Sequence, residues 1–349
     1  MYEKMGISLA NTDQYDVSII GFWVKDKPNR DHISFHPIFN FSRLSLKRLM
    51  AGKNCYHLLK KLKPEVLIIN THELLFTAVW YKLFNKITLI YDVRENYYRN
   101  ILHTETFPKL IRPFLATWVR FKEYISSQIV DHYFLAEQYY EEEFTFTKGK
   151  STVLENKYQP IQYQSINSNR DKTKVKLLFS GTLAESTGVF HAIDLAKSLH
   201  EKDQSVSLDI IGYSPLPKLI NKIKSEIKSL DYINLFGGSE LIPHAEIILK
   251  IGEANFGIIC YPYNKSTINS TPTKLYEYLA NQLPFIIQNH HKWQSICEEY
   301  SAGIVVDFDS YDAKSVLESI KSNRFYKNGK NDQFLWSSEV AKMTRVIDS

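Results

Sequence analysis

Ser270-Thr-Pro-Thr-Lys-Leu-Tyr-Glu-Tyr-Leu-Ala280, running on through Asn281-Gln-Leu-Pro-Phe-Ile-Ile287, is the stretch that decides how this chain is read. A small polar turn with a proline opens a helical pattern that carries one glutamate, Glu277, among apolar residues. A short polar break follows, and then a strand of Phe and Ile. Helix N-termini present free backbone N–H groups and the positive end of the dipole, which suits phosphate. Glu277 lies one turn inside, where its carboxylate can reach a ribose hydroxyl while the turn holds phosphates.

On either side, short apolar runs alternate with helical patterns. In the first half the expected strands are 17–22, 66–70, 88–91, 132–136 and 152–154; in the second, 176–180, 207–212, 233–236, 256–260, 284–288 and 303–306. Helical stretches such as 190–199, 217–229 and 244–251 lie between them. Nearly all-apolar strands separated by helices predict parallel sheets covered on both faces. Ser165–Thr173, rich in Ser, Asn and charge, reads as a linker between the two series. The expected class is therefore α/β, with two doubly wound domains and ligands in a cleft at their strand ends. The domains are read as residues 1–164 and 165–333, with a helix over 334–349 crossing back to the first.

A chain of 349 residues fits two domains of ordinary size. No run of about 18 uncharged apolar residues is present, and the first residues do not read as a signal peptide. Cys55, Cys260 and Cys297 are far apart and odd in number. That pattern gives neither a disulfide framework nor a zinc site and suggests a reducing cytoplasm. Charge is uneven: residues 43–122 hold 15 Lys and Arg against 5 Asp and Glu, whereas 166–349 balance at 21 each. This basic stretch is either a solvated face or a surface for anionic lipid headgroups. Nucleic acid is not expected, since no binding motif accompanies the charge. Residues 107–129 mix Lys109, Arg112, Arg120 and Lys122 with Phe114, Leu115, Trp118 and Phe121, so they fit a helix at a membrane surface or one packed on a sheet.

Three consecutive strand ends in the second half carry glycine: Ser180-Gly181-Thr182, Ile211-Gly212-Tyr213 and Phe236-Gly237-Gly238. Glycine after a strand lets backbone approach a ligand closely. Together with the Glu277 helix, these ends outline a pocket of nucleotide size.

This order of motifs resembles the donor half of GT-B fold retaining glycosyltransferases, family 4, the group 1 type. In the first half, Pro64 to His72, Leu89 to Asn96 and Asp131 to Glu137 resemble that family's acceptor-half strand ends. Val153-Leu-Glu-Asn156 resembles the segment entering the cleft, and Phe334 to Glu339 the returning helix. The resemblance implies that Glu277 binds the donor ribose and that Thr271, Thr273 and Lys274 lie by the diphosphate. Gly181, Thr182, Gly212 and Phe236 would line the donor. Arg94 and Glu95 are the catalytic candidates, with His72, Asp92 and Asn156 in the cleft. The implied reaction moves a sugar from a UDP- or GDP-linked donor to an acceptor hydroxyl with retention. It needs no cofactor and no bound metal, because helix N-termini and basic side chains stabilise the leaving diphosphate.

Several positions depart from the family pattern. Thr182 and Thr187 stand where the family places an arginine and a lysine, so two charges facing the diphosphate are missing; Lys274, Lys265 or Arg94 are candidates to replace them. Asn269 stands where many members have a second glutamate. Arg94 replaces a histidine and cannot act as a base. Met5 to Ala10 resembles the family's first helix, so the usual first strand and its glycine loop are expected to be missing. The acceptor expected is a glycan or lipid-linked saccharide of surface polysaccharide synthesis, reached from the cytoplasm at the inner membrane face. A non-catalytic GT-B scaffold or regulatory partner is the alternative, and an epimerase or phosphorylase of similar architecture a third. His103 is treated as a loop residue, Glu141–Glu143 as a solvated helix face, and Cys260 as a buried small residue.

Overall fold

The apolar runs do become parallel strands. The computed structural model describes residues 2–23, 30–41, 45–103, 107–160, 170–171, 173–264, 269–327 and 332–349. A π-helical turn (Tyr2–Gly6) leads into α1 (Ile7–Ala10), β1 (Val17–Phe22) and β2 (Ile33–Phe39). There follow α2 (Ala51–Leu62), β3 (Val66–Ile69), α3 (Leu75–Leu83), β4 (Thr88–Val93), α4 (Tyr97–His103), α5 (Arg112–Ser126), β5 (His132–Leu135), α6 (Tyr140–Glu143) and β6 (Ser151–Val153). The second series comprises β7 (Val175–Thr182), α7 (Val189–His200), β8 (Val206–Tyr213), α8 (Pro217–Ile227), β9 (Ile233–Gly238) and α9 (His244–Glu253). It continues with β10 (Phe256–Ile259), α10 (Thr273–Ala280), β11 (Phe285–Gln288), α11 (His291–Glu299), β12 (Gly303–Val306) and α12 (Ala313–Ser322), before α13 (Ser337–Ile347) ends the chain. Two compact units result: residues 1–159 together with 336–349, and residues 160–335. Most of the expected linker, and Lys265, lie outside the described residues.

In the second unit six parallel strands run in the order β12-β11-β10-β7-β8-β9. Leu177, Phe179, Leu208, Ile210 and Ile258 are buried against Ala192, Ile193 and Leu199 of α7. On β8, Asp209 interrupts the apolar run. Its buried carboxylate is held by Lys176 at 3.0 Å and Lys250 at 3.2 Å, and accepts a hydrogen bond from Asn234. From β7 the chain winds outward through β8 and β9, then returns to start again at β10 on the other side. The strand order therefore reverses between β7 and β10, and in open parallel sheets that is where ligands bind, outside the carboxyl ends.

In the first unit β3-β4-β5-β6 form a parallel sheet, while β1 and β2 pair separately. No strand among the described residues joins β1 to β3. Val17 of β1 and Val66 and Ile68 of β3 instead pack on a cluster of Met5, Leu9, Trp336 and Met343. Trp336 fastens it: its indole N–H donates to Ser8 Oγ at 3.0 Å and its backbone N–H to the Tyr158 carbonyl at 2.7 Å. The buried Glu339 carboxylate meets Lys157 at 2.6 Å.

The structure corrects several expectations. β2 is a strand the sequence does not predict, because Ser34, His36 and Pro37 break its apolar run; Pro37 is tolerated because among the described residues β2 pairs only with β1. His103 ends α4 rather than lying in a loop. Glu143 turns inward to Arg99 and Asn96, while Glu141 and Glu142 are exposed. The helix expected within residues 107–129 spans Arg112–Ser126. Cys260 is fully buried, and all three cysteines are free.

Candidate donor site and the first unit's strand ends

At the reversal between β7 and β10, four segments converge: the end of β7, the start of α7, the end of β10 and the start of α10. Gly181 has φ +100°, open only to glycine at low cost, and a Cβ on Gly212 would lie 1.7 Å from the Gly181 carbonyl. The two strand ends thus touch backbone to backbone. Gly188, the N-cap of α7, would carry its Cβ 1.9 Å from the Cys260 carbonyl, so α7 begins directly against β10. The Cys260 thiol donates to the Gly188 carbonyl at 3.0 Å. Neither α7 nor α10 has a side-chain cap on its N-terminus.

Thr187 has a structural task in this corner. Its hydroxyl accepts from the Ala184 N–H at 3.1 Å and lies 2.8 Å from the Thr182 carbonyl, closing the loop that Thr182 begins. Thr182 itself is exposed. The positive charge comes instead from α10. Lys274 is 5 % exposed, with its Cε 4.0 Å from where a Gly181 Cβ would stand. Its ammonium lies over the rings of Phe179 at 4.2 Å and Tyr261 at 5.1 Å, and makes no hydrogen bond among the described residues. Burial lowers its pKa to about 8, with Cys260 and Glu277 pulling the other way.

α10 is pinned by Tyr278, whose buried hydroxyl pairs with Ser180 Oγ at 2.9 Å. Trp293 braces the preceding turn by donating to the Ser270 carbonyl at 2.9 Å. Glu277 sits one turn along, partly exposed, 2.8 Å from His244 Nε2 at the start of α9. Thr271 is buried and Thr273 exposed on the same turn. Phe236 lies apart from Lys274's ring contacts, under the ammonium of Lys250 at 4.2 Å. The structure therefore groups Gly181, Gly212, Lys274 and Glu277, and adds His244, Cys260 and Thr187. No spacing in the sequence pointed to His244, which arrives from another helix.

In the first unit, His72 follows the carboxyl end of β3, and the segment from Asp92 to Tyr97 runs from the last residues of β4 past its end. Asp92 is 2 % exposed and accepts from Arg94 Nε at 2.6 Å. Burial raises its pKa and Arg94 opposes this. Glu95 accepts from Asn100 at 3.0 Å. The His72 ring meets the Tyr97 ring edge-on at 4.6 Å and lies 3.0 Å from Lys122 Nζ. Burial, helped by Lys122, lowers the His72 pKa to about 4, so the imidazole is neutral near pH 7. In the sequence Lys122 belongs to a basic run, yet it points inward from α5. Asn156 belongs to a different neighbourhood and accepts from Lys4. Among the described residues no three His, Cys, Asp or Glu side chains group to hold a metal ion.

Residues 162–332 match the family model described as glycosyl transferases group 1. The match covers nearly the whole of the second unit and just under half of the chain. Solved structures similar to the chain share its fold. Sucrose-phosphate synthase from Thermosynechococcus elongatus superposes with a TM-score of 0.71 at 13% identity, over 98% of this chain and 90% of that one. Anabaena HepE in complex with UDP-glucose gives 0.63 at 12%, over 95% and 99%. The lipopolysaccharide outer core galactosyltransferase WaaB gives 0.57 at 14%, over 91% and 85%. The architecture is thus that of the GT-B glycosyltransferases. A search of curated proteins finds no match.

Within the matched residues, the first loop departs from what the resemblance implies. Where the resemblance calls for two cations after β7, one residue is exposed and neutral and the other is committed to holding the loop shut. Lys274, from the start of α10, reaches the end of β7 at Gly181.

Proposed function

We propose that this protein transfers a sugar from a nucleotide sugar to an acceptor hydroxyl with retention at the anomeric carbon. The observation that carries the reading is the buried ammonium of Lys274 beside Gly181, without a hydrogen bond among the described residues, with Glu277 one turn away. An isolated buried charge is costly and calls for an anion. A diphosphate there would meet Lys274 and the N–H groups opening α7 and α10, and Glu277 would exchange His244 for a ribose hydroxyl. In this scheme charge developing on the leaving diphosphate is met by Lys274 and the helix N-termini, with no metal and no cofactor. In the first unit, Arg94 supplies positive charge and Glu95 a carboxylate at the end of β4, while neutral His72 lies beyond the end of β3.

The similarity to HepE, seen with UDP-glucose, supports a UDP-linked donor, and GDP is the other candidate. The similarity to WaaB, an outer core galactosyltransferase, supports a glycan or lipid-linked acceptor in surface polysaccharide synthesis. Such an acceptor is met in the cytoplasm, at the inner face of a membrane. No helix among the described residues is long and apolar enough to cross one. Isothermal titration with UDP, GDP and ADP tests the donor site. Wild type is expected to bind UDP or GDP, and Glu277→Ala to bind about tenfold or more weakly, as the loss of a hydrogen bond to a charged group implies. Equal binding by the variant would remove Glu277 from the site.

The second reading, a non-catalytic GT-B scaffold, is favoured by Thr182 and Thr187, which leave the first loop without a cation of its own. Nucleotide binding without sugar transfer or hydrolysis of the donor would decide for it.

A further inference from the structure

We infer that the outer face of α3 and α5 is a docking surface for an anionic phospholipid bilayer. The two helices pack side by side, with Phe76 and Trp118 ring to ring at 6.3 Å. Large apolar side chains point outward along both: Phe76, Trp80 and Phe84 on α3 and just past its end, Phe114, Trp118 and Phe121 on α5, each between 42 and 78 % exposed. Their spacings, i, i+4, i+8 and i, i+4, i+7, place each set on a single helical face. Trp80 and Phe84 form one further ring pair, Trp118 and Phe121 another. Aromatic rings displayed in such a ridge are costly to leave in water and typical of surfaces that meet a membrane interface.

Charge identifies the occupant. α3 carries no acidic residue, and the one acid of α5, Glu123, is turned inward at 1 % exposure, held by the Tyr91 hydroxyl. Directly after Phe84 in the chain, Asn85 and Lys86 line a shallow concavity of about 380 Å³ together with Lys60 and Lys63, with no acid in its wall. An apolar ridge ending in a lysine-lined hollow complements a bilayer, whose acyl boundary takes the rings and whose phosphates take the lysines. A second copy fits worse, because joining the same basic face of two chains sets like charges against each other. Since no helix among the described residues can span the bilayer, the contact is parallel to the surface. This gives a surface to the location proposed above without depending on sugar transfer, because vesicle binding needs no nucleotide.

The test is flotation of the full chain with phosphatidylcholine vesicles, with and without phosphatidylglycerol, at low and high salt. Binding is expected only to the anionic vesicles and to fall as salt rises. Trp80→Ser and Trp118→Ser should each lower partitioning about tenfold, and alanine at Lys60, Lys63 or Lys86 about fivefold each. UDP titration of the same variants should match wild type, which separates this surface from the donor site. No flotation of wild type, equal flotation with neutral vesicles, or binding insensitive to both sets of variants would overturn the proposal. So would a self-association in sedimentation that Trp80→Ser and Trp118→Ser dissolve.

Discussion

Replacing Lys274 with methionine should stabilise the fold while weakening nucleotide binding. The side chain is buried, and its pKa falls from an ordinary 10.5 to about 8. That displacement corresponds to about 3 kcal/mol against the charged form. The faces of Phe179 and Tyr261 return roughly 1–2 kcal/mol of this by cation–π attraction. Methionine keeps the length and packing of the stem without the charge, so a net gain of about 1–2 kcal/mol is expected near neutral pH. The pH dependence has a definite sign. Between about pH 8 and 10.5 the unfolded chain still holds the proton that the folded chain has released, so the fold gains stability as pH rises through that window. The advantage of methionine should therefore be full below pH 8 and shrink above it. Nucleotide binding should move the opposite way. Losing a hydrogen bond between an ammonium and a phosphate costs about 1.5–3 kcal/mol, or roughly 10- to 150-fold in Kd. Urea unfolding at several pH values and titration with UDP and GDP measure both quantities. A variant that binds either nucleotide as tightly as wild type, or loses more than about 2 kcal/mol of stability, would refute the idea that Lys274 is kept charged for an anion.

Two further substitutions probe the surroundings. His72 is held down to about 4 by burial and Lys122, so the fold loses stability as pH falls from 6.5 toward 4. His72→Gln should flatten that loss, by up to about 3 kcal/mol at pH 4, in acid unfolding curves; an unchanged acid limb would show that His72 is not desolvated. Thr187→Val removes the hydroxyl shared by Ala184 N–H and the Thr182 carbonyl, and should cost about 1–2 kcal/mol in urea unfolding. A neutral result would mean that the loop is closed by something else.

The parts visible in the sequence were those set by local rules. The Glu277 helix shows its proline-led start and apolar period within a dozen residues, and Gly181, Gly212 and Gly237 each close an apolar run. β2 escaped because Pro37 and the polar Ser34 and His36 hide its pattern, and only a neighbouring strand makes it one. Lys122 and Glu143 look like ordinary surface charges in sequence, and burial by other elements reverses that reading.

By itself, then, the sequence determined two parallel α/β units, the glycine-bearing strand ends and a glutamate one turn into a helix, because strand period, helix starts and backbone sterics act over a few residues. Tertiary structure decided that Thr187 is spent on closing a loop, that Lys274 is buried without a hydrogen-bonding partner among the described residues, and that Glu277 faces His244 from another helix. It also decided that Phe76, Trp80 and Trp118 share one exposed face. Each of these depends on which distant segment supplies, or withholds, the partner that offsets desolvation, and no window of sequence records that.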